Sequence, residues 1–179
     1  MSKVLVHVCC AHCAAYTLEH WRREGHEVGG FWYNPNIHPY QEHQSRLGAV
    51  RDLAERTGLR IIESEGYEMP KWFRYVSGHE DERCRHCFTL RLETAARAAK
   101  EHGYDAFTST LLISPHQDHE LLREIGDPVA EATGVRFLYA DLRKRYSDSR
   151  HITKPMDLYR QQYCGCLFSE WERYREPER

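Results

Sequence analysis

The sequence predicts an α/β fold: a parallel sheet with helices on both faces, followed by a C-terminal helical segment. Three observations predict it. Short Val-, Leu- and Ile-rich runs alternate with stretches of helical period, glycines at 25, 58, 103 and 134 stop those stretches, and no repeat, low-complexity tract or long linker divides the 179 residues. One domain over residues 1–179 is therefore expected.

Residues 3–8 form an apolar run that reads as a buried strand. Residues 14–23 have helical spacing through Tyr16, Leu18 and Trp21. A second strand covers 28–33 and ends at Asn34-Pro35-Asn36. In the helix expected over 42–57, Leu47, Val50, Leu53 and Ala54 share one face, and residues 59–63 form a third strand. Residues 69–76 make a short aromatic helix, and a loop then leads to Cys84. A helix over 88–102 repeats Leu90, Leu92, Ala95, Ala96 and Ala99. Residues 106–113 are a strand, 119–133 a helix interrupted at Pro128, and 135–139 a strand. The tail over 157–174 is expected to be helical around a break at Cys164-Gly165-Cys166.

Parallel sheets bind ligands beyond the carboxyl ends of their strands. Cys9, Cys10 and Cys13 follow the first strand, and residues 114–118 and Asp141 follow two later ones, so all should converge on one edge.

The bulk properties narrow the function classes. The chain is 41% hydrophobic, yet runs such as residues 4–8 are far too short to span a bilayer. The N-terminus MSKVLVHVCC lacks the form of a secretory signal. A cytoplasmic location and no membrane partner are expected. A net charge of −2 excludes a globally basic nucleic-acid binder, so an RNA contact would need a local patch. The densest basic stretch is Arg143-Lys144-Arg145 with Arg150, Lys154 and Arg160, interleaved with Tyr146, Tyr159 and Tyr163. Arginine and lysine suit phosphates, and the rings suit unstacked bases.

All seven cysteines fall into three groups, Cys9-Cys10-Ala-His-Cys13, Cys84-Arg-His-Cys87 and Cys164-Gly-Cys166. Such clustering in a reducing compartment points to metal or redox chemistry rather than disulfides. Each C-x-x-C pair precedes or opens a predicted helix, whose N-terminal partial charge favours thiolates. A structural zinc site would use four thiols and leave three idle. An iron–sulfur cluster also takes four, and the surplus implies a second metal or a reactive thiol, with Asp141 or Asp118 available as a carboxylate ligand. His12 and His86, inside the two pairs, are expected to point away from a bound metal.

HVCCAHC, FWYNPNIHPYQEH, RCRHCFTLRL, TSTLLISPHQDHE, ADLRKRY and LYRQQYCGCLFSE, in this order over nearly the whole chain, resemble the cobalamin-independent epoxyqueuosine reductase family. The resemblance implies reductive removal of the epoxide oxygen of epoxyqueuosine in a tRNA anticodon loop. It also implies a fold similar to the adenine nucleotide α-hydrolase-like (HUP) units, a 4Fe–4S cluster and a neighbouring metal, with iron expected. The partners would be that tRNA and an electron-donor protein or reductant. Cys9, Cys10, Cys84 and Cys87 are the expected cofactor-binding set. The wider metal set is Cys9, Cys10, Cys13, Cys84, Cys87, Cys164, Cys166 and Asp141, and spacing alone does not divide it between two metals.

Acid catalysis falls to Asp141 and Asp118, with His116 and Glu42 also placed after strands; Asp118 and Glu42 equally suit helix starts. Two rivals make different demands. A cluster-dependent tRNA-thiolating enzyme needs a Gly/Ser-rich phosphate loop where this chain has Cys9-Cys10-Ala11-His12-Cys13. A zinc-stabilised RNA-binding protein without catalysis would be colourless.

Overall fold

The computed structural model describes residues 1–176. Its sheet has the order β3-β2-β1-β4-β5, with every neighbouring pair parallel. The strands are β1 (Lys3–His7), β2 (Glu27–Trp32), β3 (Ile61–Glu63), β4 (Ala106–Ser109) and β5 (Arg136–Phe137). The helices are α1 (Ala11–Arg23), α2 (Tyr40–Thr57), α3 (Met69–Val76), α4 (Arg83–Glu101), α5 (His119–Thr133), α6 (Tyr146–Thr153) and α7 (Leu167–Tyr174).

Strand alternation divides the core into two layers. Leu5 and Phe107 face one side, where they meet Leu92, Ala96 and Ala99 of α4 and Leu122 of α5. Val4, Val6 and Ala106 face the other, against Ala14 and Leu18 of α1 and Val50 and Leu53 of α2. The helices thus cover both faces, as the sequence predicts. The chain winds outward from β1 to β3 and then returns to place β4 on the free side of β1. That reversal opens a crevice at the carboxyl ends of β1 and β4, where parallel sheets bind ligands.

Several boundaries differ from expectation, for local reasons. Helix α1 starts at Ala11 rather than at 14, because Cys10 is its extended N-cap and the Cys10 sulfur accepts the Cys13 N–H at 3.3 Å. The thiol fills the role usually taken by Ser or Asp. Helix α4 begins at Arg83, five residues before the expected start at 88, after a 3-10 turn at Glu80–Glu82. The expected strand over 106–113 ends at Ser109, and Thr110–Ile113 forms a 3-10 turn capped by the Ser109 hydroxyl. Strand β5 is two residues long, shorter than 135–139.

Pro128 lies inside α5 without ending it. Leu122, Ile125, Gly126 and Val129 keep that helix buried, and Gly126 lets Phe137 approach where a Cβ would stand 2.3 Å from its ring. Burial of this face outweighs the hydrogen bond lost at proline. In the tail only Leu167–Tyr174 is helical, and residues 157–166 are irregular apart from the end of a turn. Helix α6 was not expected: Tyr146–Thr153 lies within the basic stretch, whose charges hide its short period. No described helix is long and apolar enough to cross a membrane.

Two buried histidines make the fold acid-sensitive. Burial lowers His38 and His43 from 6.5 to about 4, and His43 accepts the Trp32 indole N–H at 3.2 Å. The unfolded chain therefore binds more protons between those values, and stability falls as pH drops from about 6.5 toward about 4. Replacing His43 with Gln keeps an acceptor without a titrating ring, and should flatten the fall of urea midpoints across this window. An unchanged slope would contradict the assignment.

Candidate metal and substrate site

The three cysteine groups meet at the crevice because each sits at a helix start. Cys10 caps α1, Cys84 and Cys87 occupy the opening of α4, and Cys166 caps α7 by accepting the Ser169 N–H at 3.4 Å. Three helix N-termini thus direct partial positive charge toward sulfur.

The Cys9, Cys10 and Cys13 sulfurs lie within 4.8 Å of one another. Contacts from the Cys10 and Cys13 thiols hold Cys9 well below the ordinary thiol range, with Arg91 and Thr110 adding to the effect. Cys13 shifts well upward because it donates to Cys10 and Cys9. For Cys10 the contact with Cys13 pulls downward, but interaction with Cys9 and burial push it up to about 12. Within the trio Cys9 is thus the sulfur favoured as thiolate, with the Cys10 and Cys13 thiols turned toward it. Burial also raises Cys87 to about 12, and charge at Cys164 and Cys166 reaches it.

A cleft of about 500 Å³ opens over this array, with Cys9, Cys13, Cys164 and Arg91 in its wall. A neighbouring groove is lined by Cys84, Phe88 and Asp118, and shares His116 and Gln117 with the cleft. All seven cysteines are free. Their sulfurs are rich in donors: Gln161 Nε2 lies 2.9 Å from Cys10, Thr110 Oγ1 3.2 Å from Cys9, Gln117 Nε2 3.5 Å from Cys164 and Arg91 Nη1 3.7 Å from Cys87. Such donors suit anionic sulfur.

The other expected residues are placed less directly. Asp118 caps α5, its Oδ1 accepting the Leu121 N–H at 3.0 Å. Asp141 is exposed and clasped by Arg143 through bonds of 2.9 and 2.6 Å, which holds its carboxyl well below the usual range. Neither aspartate lines the main cleft. Glu42 is buried in an ion pair with Arg46, whereas His116 stands in the cleft wall. His12, expected to point away, also lines the cleft while bonding Thr153 Oγ1 at 2.5 Å. Of the basic stretch, Arg150 and Arg160 reach the cleft with Tyr146 and Tyr163. Arg143 and Arg145 pair with Asp141 and Asp148.

The loop from Asn34 to Pro39 docks the third cysteine group. His38 N–H donates to Gly165 O at 2.8 Å, and Tyr163 OH donates to His38 O. A Cβ on Gly165 would stand 3.2 Å from Asn36 and Ile37. Arg46 donates to the Tyr163 and Cys164 carbonyls at 3.0 and 2.8 Å.

Two buried arginines of the cleft wall, Arg46 and Arg91, escaped sequence reading. Each follows a site residue by one helical turn, Glu42 or Cys87, and each lies on the buried face of its helix. A charged residue at i+4 on an apolar face was the available signal.

Comparison with known proteins gives the arrangement a context. The family model described as epoxyqueuosine reductase QueH matches residues 4–172. A Dehalococcoides mccartyi protein named epoxyqueuosine reductase QueH is 55% identical over 175 residues, covering 98% of this chain and 96% of its own length. A Thermotoga maritima protein of the same name is 36% identical over 182 residues, covering 97% of this chain and 93% of its own. A Methanocaldococcus jannaschii crystal structure, described as a predicted subunit of tRNA methyltransferase, superposes with a TM-score of 0.58 at 11% identity, over 87% of this chain and 76% of that one. This last likeness concerns fold alone and agrees with the parallel α/β sheet described above.

Proposed function

The chain belongs to the epoxyqueuosine reductase QueH family, an oxidoreductase family of queuosine synthesis, and from that premise we propose that it reduces the epoxide of epoxyqueuosine in a tRNA anticodon loop at the thiol-lined cleft. The observation that carries this reading is the meeting of Cys9, Cys13 and Cys164 in one cleft wall, with Cys10 beside Cys9 and Cys84 in the adjoining groove, at three helix N-termini rich in sulfur-directed donors.

The donor set fits a thiolate-held iron–sulfur centre, and we assign Cys9, Cys10, Cys84 and Cys87 to a 4Fe–4S cluster. Arg91 lies 3.7 Å from the Cys87 sulfur and interacts also with Cys9 and Cys164, which puts the first and second cysteine groups within reach of one buried cation. Cys13, Cys164, Cys166 and Asp141 are left as donors to a second metal, for which iron is proposed. When bound, the cluster supplies single electrons and the second metal a Lewis acid for the epoxide oxygen.

Conversion of the epoxide to an alkene takes up two electrons and two protons and releases one water. The electrons come from an external donor protein or reductant. The chain itself must deliver protons and hold the nucleotide. His116 lines the cleft and is assigned the proton for the departing oxygen. Asp118, two residues on, fixes the end of its loop by capping α5. For Asp141 to ligate a metal, Arg143 must release it. Arg150 and Arg160 suit anticodon phosphates, and Tyr146 and Tyr163 offer surfaces for bases.

The test is anaerobic incubation with epoxyqueuosine-containing tRNA and a low-potential reductant, followed by nucleoside mass spectrometry. Queuosine should appear, and unchanged epoxyqueuosine with iron-loaded protein would refute the assignment. The ligand division has its own check. Cys164→Ala should retain the cluster spectrum while losing iron beyond the cluster, and loss of the cluster spectrum would move Cys164 into the cluster set.

A further inference from the structure

Two arginines are among the largest fully buried side chains, and only one of them has a carboxylate partner. Arg46 is paired with Glu42 at 2.6 Å. Arg91, 2% exposed, donates to the Asn34 side-chain oxygen at 3.1 Å, His7 Nε2 at 3.3 Å and the Cys87 sulfur at 3.7 Å. Among the described residues no carboxylate forms an ion pair with it. A cation removed from water without a counter-anion is costly. The groups beside it that can carry compensating negative charge, once ionised or metal-bound, are the sulfurs: Cys87 at 3.7 Å, with Cys9 and Cys164 within electrostatic reach.

The arginine is also rigidly held. It lies one turn after Cys87 on α4. Its Asn34 partner is anchored in turn, donating to the Val8 carbonyl at 2.8 Å, and its His7 partner lies 2.9 Å from Ser109 Oγ. These contacts fix one guanidinium against the thiol array, where it also lines the cleft.

We propose that Arg91 is the built-in counter-cation of the iron–sulfur centre, a positioning residue whose fixed charge makes that centre easier to reduce. The inference rests on the reading that the thiol array holds such a centre. One-electron reduction by a low-potential donor adds one negative charge to the centre, with no bond broken and no proton moved. A fixed positive charge in contact with the Cys87 sulfur and near that of Cys9 favours the more negative, reduced state. The same charge offsets the buried anion in both states, so it also favours holding the cluster at all.

The experiment compares wild type, Arg91→Met and Arg91→Lys, each loaded anaerobically, checked for iron and sulfide, and titrated with dithionite while the reduced cluster is followed by electron paramagnetic resonance. Arg91→Met should lower the midpoint so that the reduced-to-oxidised ratio at the wild-type midpoint falls at least about tenfold, which is about 59 mV for a one-electron couple. Arg91→Lys keeps the charge and should shift the midpoint by less than half as much. A wild-type midpoint in Arg91→Met, or an equal shift in both variants, would overturn the proposal. Should Arg91→Met assemble no cluster, Arg91→Lys decides: a cluster near the wild-type midpoint supports the charge role, and no cluster overturns it. A wild-type protein that takes up no cluster defeats the underlying reading itself, a result distinct from an unchanged midpoint in a loaded variant.

Discussion

Alanine at Cys87 is expected to abolish cluster assembly and to lower epoxyqueuosine reduction by more than about 100-fold, since even partners that only orient metal ligands are worth about 10–100-fold. The expectation is specific because the substitution should leave the fold alone. Cys87 lies within helix α4, is partly exposed and makes no backbone cap, and alanine is the best helix former. The buried face of that helix, from Phe88 through Leu92 to Ala99, is untouched. Far-ultraviolet circular dichroism should therefore match wild type while the visible absorbance is lost. A variant that keeps both colour and turnover would remove Cys87 from the ligand set and shift attention to Cys164 and Cys166.

Arg46→Met is the second large effect, expected to destabilise the chain by about 3–5 kcal/mol, the range for breaking a buried ion pair from one side. Glu42 would remain 9% exposed with its cation gone, and the carbonyls of Tyr163 and Cys164 would lose their donors. Tyr159 OH still donates to Glu42, but a neutral hydroxyl does not replace the cation. Combining Arg46→Met with Glu42→Leu should recover much of the stability, because no unpaired charge stays buried. It should not recover the placement of Cys164, so iron beyond the cluster should stay low in both variants. Denaturant unfolding and metal analysis on the same samples separate these effects. Full recovery of both in the double variant would show that Arg46 serves the fold alone.

The contrast between these residues shows what the sequence made legible. The alternation of apolar strands with glycine-stopped helices identified the parallel sheet, and the cysteine groupings picked out residues that the fold gathers near its crevice. Errors gathered where a residue did a job foreign to its type. Cys10 caps α1, so that helix start was missed where only Ser, Thr, Asp or Asn are looked for. Pro128 stays inside α5 because tertiary burial outweighs its local cost. The loop at Asn34-Pro35-Asn36 carries turn residues, yet Asn34 holds Arg91 and Asn36 packs beside Gly165, more than a hundred residues away. Arg46 and Arg91 were hidden for the same reason: charge on a helix is ordinarily solvated, and only the folded chain shows that these two face inward.

Asp118 and Asp141 mark the difference between a carboxylate near a site and one within reach of chemistry. Asp118 has a capping role that explains its position after β4, and Asp141 is clasped by Arg143. Their proposed roles therefore depend on rearrangement of Arg143 or on fixing His116, and each is open to substitution by asparagine.

Iron and acid-labile sulfide analysis of anaerobically purified protein, with its visible spectrum, tests the central claim most directly. The account predicts a brown protein with broad absorbance near ~400 nm, about four sulfides and somewhat more than about four irons per chain, as thiolate-held clusters give. A colourless protein holding one zinc ion would contradict it and leave the thiols a structural role.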